Sequence, residues 1–172
     1  MNALIVIDYQ KDFVSGALGF AGAESYDIPI AQRINLAREA GEDVIFTLDT
    51  HDADYMNSVE GKHLPVPHCL ADSEGWQLYG TVAESITTAD PVFIKPTFGS
   101  LELANYLREQ GYERVELCGL VSHICVLSNA VLAKAALPEA EIVVDSKLTG
   151  AMDESMTDKA LDVLRGLHIT VK

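Results

Sequence analysis

Positive charge is what this chain most lacks. Twelve Lys and Arg face 26 Asp and Glu, a formal net charge of −14. Such a field repels phosphate backbones and anionic lipid headgroups, which argues against nucleic-acid and membrane partners. No apolar run approaches the ~20 residues of a membrane-spanning helix. MNALIVID at 1–8 turns polar at Asp8 and is also too short for the core of a secretory signal. Cysteine is sparse: Cys69, Cys118 and Cys125 are an odd number without close spacing. That count excludes a disulfide framework and points to free thiols in a reducing, cytoplasmic setting. Repeats, low-complexity tracts and linkers are absent too. At 172 residues, 48% hydrophobic and 22% charged, the expectation is one globular domain over 1–172.

What is present alternates. Short apolar runs at 3–7, 43–48, 91–94, 114–120, 141–145 and 168–171 read as strands. They are continuous rather than alternating, as strands buried on both faces are. Helical spacing lies between them. Asp27 is placed to cap one helix with Pro29 near its start and Gly41 at its end. Ser100 is placed to cap the next, which Gly111 closes. Segment 123–136 is apolar nearly all round, and 154–167 carries a stripe of Met156, Ala160, Leu164 and Leu167. This order predicts an α/β fold: three layers, α/β/α, with a doubly wound, mostly parallel six-stranded, Rossmann-like sheet. Residues 50–81 break the rhythm. They hold three histidines and little periodicity, which marks a functional loop.

Ligands of open parallel sheets bind beyond the carboxyl ends of the strands. Here the first strand ends in Asp8, the second in Asp49-Thr50-His51 and the third in Lys95. The fourth runs into Ser122-His123-Ile124-Cys125. Cys125 would sit in the first turn of a helix, where free N–H groups and the dipole favour a thiolate. A buried structural cysteine is an equal reading from position alone. Asp8 closes an apolar strand, so burial should raise its pKa and suit it to take a thiol proton. Lys95 would bring an ammonium to the same edge. Asp49 and His51, at i and i+2 on extended chain, point the same way. With His68, and Glu60 or His63, they would suit Zn²⁺, Fe²⁺ or Mn²⁺ better than Ca²⁺.

Five blocks carry a family resemblance: IDYQKDF at 7–13, TLDTH at 47–51, PVPHC at 65–69, KPTFGS at 95–100 and CGLVSHICV at 118–126. The chain resembles the isochorismatase-like cysteine hydrolases, and within them the nicotinamidases, over nearly its whole length. The resemblance implies an isochorismatase-type fold and a catalytic triad of Asp8, Lys95 and Cys125. It implies metal ligation by Asp49, His51, His68 and Glu60, with zinc the first expectation and Fe or Mn the others. It implies a cis peptide between Leu120 and Val121, and an oxyanion hole from the Val121 and Cys125 amides. Phe13 and Phe98 are the expected substrate-binding aromatics. Departures are visible. The stretch before His68 is Leu64-Pro65-Val66-Pro67, without the family's frequent Trp. The common Thr-Asp before the cysteine block reads Ser122-His123, and Pro96-Thr97-Phe98-Gly99 replaces a more aromatic segment.

The expected activity is cysteine-dependent amide hydrolysis releasing ammonia, with nicotinamide the first substrate and a thioester the intermediate. Another small amide, a ureide or an isochorismate-like vinyl ether is the alternative within the family, and a non-catalytic binding module the alternative outside it. By analogy with the fold, a homodimer or homotetramer is expected.

Overall fold

The computed structural model describes all 172 residues. Six parallel strands make one sheet: β1 (Asn2–Ile7), β2 (Asp43–Asp49), β3 (Val92–Lys95), β4 (Arg114–Leu120), β5 (Glu141–Gly150) and β6 (Thr170–Val171), in the order β3-β2-β1-β4-β5-β6. The order reverses between β1 and β4, so the crevice of a doubly wound sheet opens there. Helices cover both faces: α1 (Lys11–Val14), α2 (Asp27–Glu39), α3 (Val59–His63), α4 (Gly80–Ser85), α5 (Leu101–Gln110), α6 (Leu127–Ala136) and α7 (Glu154–Gly166).

The alternation of side chains along β1 divides the core. Ala3, Ile5 and Ile7 pack on one face against Leu103, Leu107, Ala130 and Leu164 of α5, α6 and α7. Leu4 and Val6 pack on the other against Ile30, Ile34 and Val82 of α2 and α4. Burial on both faces explains why this strand reads as unbroken apolar sequence. Gly119 permits a close approach of β4 to β1: a Cβ there would lie 2.0 Å from the Ile7 carbonyl oxygen.

Local chemistry sets several boundaries as the sequence predicts. Ser100 Oγ accepts from Leu103 N at 3.0 Å, and Gly111 ends α5 at φ +69°. Asp27 does something else. It lies inside the first turn of α2, and its carboxylate accepts from Thr81 N and Val82 N, at 2.9 and 3.0 Å. It therefore caps α4, a six-residue helix too short to show a period in the sequence, and staples it to α2. On α7 the buried stripe is Ala160, Leu161 and Leu164, while Leu167 is exposed beyond the helix end. No helix is long and apolar enough to cross a membrane.

A buried ionic knot ties the sheet where β4 meets α2. Glu116 is fully buried and accepts from Arg33 Nε (2.9 Å), Arg33 Nη2 (3.1 Å) and Arg114 Nη2 (2.9 Å); Lys172 Nζ stands 2.9 Å away. Burial alone would raise its pKa, but these donors outweigh it and hold the carboxyl at about 2. Depressed in the folded state, the group stabilises the protein above its ordinary 4.5 and loses that contribution as pH falls toward 2. Glu116→Gln strands the cations around a neutral amide and should cost about 3 kcal/mol at neutral pH. The gap to the unmutated protein should narrow on acidification over that window, as read by denaturant unfolding at a series of pH values.

Candidate active site and metal centre

Asp8, Asp49, Lys95 and Cys125 converge at the carboxyl edge of β1–β4. Asp8 follows β1 with its backbone at φ +45°, a strained region for a residue with a Cβ. Thr47 holds it there, its hydroxyl donating to Oδ1 at 2.6 Å. Lys95, the last residue of β3, is 1% exposed. Its Nζ lies 2.6 Å from Asp8 Oδ2 and 3.2 Å from Asp49 Oδ1, donates to the Thr97 carbonyl at 3.0 Å, and stands 3.6 Å from Cys125 Sγ. Burial opposes its charge, but Asp8, Cys125 and Asp49 hold the ammonium protonated well above its ordinary range. Asp8 is shifted upward, because burial outweighs the attraction of Lys95.

Cys125 lies in a π-type turn, Ser122–Val126, that precedes α6. The thiol is buried, and its pKa is pushed up rather than down. Burial is the main cause and the Asp8 charge the next, with Lys95 opposing both. The helix-terminus argument fails here because the thiol sits inside the molecule facing a carboxylate. Both groups are shifted toward their protonated forms, and they face each other closely enough for a proton to pass between them. The Leu120–Val121 peptide just before it is cis. Cys69 and Cys118 are buried free thiols, also raised chiefly by burial, and neither belongs to this cluster.

Beside the cluster, Asp49, His51 and His68 bring ligand atoms within 4.8 Å of one another. Asp49 Oδ2 is 2.9 Å from His51 Nε2 and 3.4 Å from His68 Nε2. Glu60 reaches the same two nitrogens from α3, at 3.7 and 3.6 Å. His63 does not: it is exposed, and its Nδ1 meets the Val59 carbonyl of its own helix. His68 Nδ1 pairs with the Val66 carbonyl at 2.8 Å, which leaves Nε2 for a ligand. Tyr55 packs edge-on against both imidazoles, with ring centroids 4.8 and 5.1 Å apart. Burial would raise Asp49, but the two histidines and Lys95 hold it well below the usual carboxylate range. Two imidazoles and a carboxylate focused on one point can hold a divalent cation, and Glu60 stands close enough to join them.

A cavity of about 190 Å³ joins the two groups, with Cys125, His68 and Asp49 on its wall. The remainder is mostly apolar. Phe13 and Phe98 both line it, Phe13 packed edge-on against His68 and Phe98 exposed at the rim. Several supporting residues are not singled out by the sequence. Gln10 clamps the Asp49 backbone in both directions, Nε2 donating to its carbonyl at 2.9 Å and Oε1 accepting its N–H at 2.8 Å. Asp12 Oδ2 accepts from Cys69 N at 2.7 Å and so anchors the loop carrying His68. Asn129 accepts from Ser100 N and donates to the Phe98 and Cys125 carbonyls. Their one sequence signal is polarity beside reactive groups within the blocks or one helical turn away.

Comparison with known proteins agrees with this architecture. A nicotinamidase/pyrazinamidase of Mycobacterium tuberculosis is 26% identical over 187 residues, spanning 96% of this chain and 95% of that one. The crystal structure of a pyrazinamidase/nicotinamidase from Streptococcus mutans superposes with a TM-score of 0.89 at 28% identity, covering all of both chains. A pyrazinamidase of Pyrococcus horikoshii, solved in complex with zinc, shares the fold with a TM-score of 0.87 at 23% identity, over 99% of this chain and 98% of that one. Residues 2–171 match the isochorismatase domain, and the chain belongs to the isochorismatase family of hydrolases.

Proposed function

We infer that this protein is a cysteine amidohydrolase that releases ammonia from a small amide, with nicotinamide its foremost substrate. One observation carries the reading: a single buried ammonium, Lys95 Nζ, touches Asp8, Asp49 and Cys125 at once. It joins a thiol–carboxylate pair to a metal-ligand set across a cavity suited to a small ring. The nicotinamidase/pyrazinamidase relatives supply the substrate class.

In the first half-reaction Asp8 takes the Cys125 proton as sulfur bonds to the amide carbon. The Val121 and Cys125 amides receive the oxyanion. Collapse breaks the C–N bond, and protonated Asp8 delivers its proton to the departing ammonia. Water then adds to the thioester while Asp8 accepts its proton. The carboxylic acid leaves, and the proton returns to sulfur. Lys95 stays protonated throughout and offsets the charge on Asp8 and on the attacking sulfur. Asp49, His51, His68 and Glu60 would hold a zinc ion, which supplies a Lewis-acid anchor for a polar ring atom such as a pyridine nitrogen. The apolar walls formed by Phe13 and Phe98 exclude water around the ring.

Cys125→Ala should abolish ammonia release from nicotinamide while leaving the circular dichroism unchanged; undiminished turnover would refute the mechanism. Asp8→Asn should lower kcat by about 10²- to 10⁴-fold, the range expected for a lost general base. Elemental analysis tests the metal set separately. The purified protein should carry zinc, and His68→Ala should lose it without unfolding.

A further inference from the structure

The substrate cavity holds one polar side chain that the mechanism does not use. Asp49, Glu60 and His68 belong to the metal set and Cys125 is the nucleophile; His123 lines the same cavity and has no role so far. Neither of its ring nitrogens bonds to the protein. Nδ1 is buried without a partner, while Nε2 is left accessible. An unpartnered buried N–H costs more than an unpartnered buried lone pair. The proton therefore resides on Nε2, and the accessible nitrogen is a donor. Burial also disfavours a charged ring, although Asp153 opposes that effect. Val121, Ile124, Ala151 and Met152, which line the same cavity, offer no side-chain hydrogen-bond donor.

We propose that His123 is a specificity-determining residue whose Nε2–H reads a hydrogen-bond acceptor on the substrate ring, distinct from the atom the metal anchors. The preferred substrates are then heteroaromatic amides with a second acceptor on the ring edge. Discrimination arises because the bound ring cuts this donor off from water: facing a C–H it loses its bond without compensation, whereas facing a ring nitrogen it keeps one. The inference rests on the amidase reading above.

The test uses zinc-loaded protein and isosteric amides: pyridine-3-carboxamide beside the pyrimidine-5-, pyridazine-4- and pyrazine-2-carboxamides, each of which adds one ring nitrogen at nearly constant size. The readout is the preference for each diazine over the pyridine. It is measured as a ratio of kcat/KM, and as a ratio of Kd by calorimetry in the Cys125→Ala background, where no turnover intervenes. His123→Leu should lower the preference for at least one diazine by about tenfold in both ratios. His123→Gln, which restores an N–H near the same place, should recover most of it. Preferences identical in the His, Leu and Gln proteins would overturn the role of His123 while leaving the amidase intact. Amides that bind with a His123-dependent preference yet release no ammonia would support the recognition and overturn the amidase reading. Absence of both binding and turnover would overturn both.

Discussion

The arrangement hangs on one buried ammonium. Lys95 is 1% exposed, so its charge is tolerable only because Asp8, Asp49 and the Thr97 carbonyl surround it. An uncompensated charge at that depth would cost several kcal/mol. Each partner comes from a different stretch of chain: Asp8 from the end of β1, Asp49 from the end of β2 and Thr97 from the loop after β3. Satisfying the lysine therefore brings three strand ends to one point. Cys125 enters the same circle from the fourth. The placement of a thiol beside a carboxylate and the electrostatics of burying the lysine impose one requirement.

The same contact couples two chemistries. Asp49 offers one oxygen to Lys95 and the other to the histidines, so a single carboxylate stands between the Asp8–Lys95–Cys125 cluster and the His51–His68 pair. Its backbone is held by Gln10, from the segment that also carries Asp8. A shift of the β1 end relative to β2 would disturb both halves of the site together. The strained backbone at Asp8 fits this picture, since an unfavourable conformation persists where surrounding bonds over-determine it.

Legibility in the sequence follows the range of the interactions. The six apolar runs map onto the six strands, but burial on both faces is written in consecutive residues only for the inner strands β1, β2 and β4; the edge strands β3 and β6 are apolar in sequence yet largely exposed. Ser100 and Gly111 were readable because a cap and a left-handed turn are settled by neighbours. Asp27 is the opposite case: the amides it binds lie 54 and 55 residues away, beyond any local pattern. The short helices α3 and α4 leave no trace in the sequence because neither is long enough to show a helical period. Spacing does not tell Glu60 from His63; the winding of α3 brings Glu60 toward the two histidines and turns His63 out.

Sequence alone thus determined the α/β order, the strand ends where reactive groups gather, and the family blocks around Asp8, Asp49, Lys95 and Cys125. Residue types and short spacings suffice for these. Only the tertiary structure showed which way the Cys125 pKa is shifted. Proximity to a helix start predicted a lowered pKa, whereas burial opposite Asp8 raises it. Only it showed that Lys95 spans both halves of the site and that His123 shares the cavity. Such facts depend on desolvation and on distances between residues far apart in the chain, and neither is encoded in any local pattern.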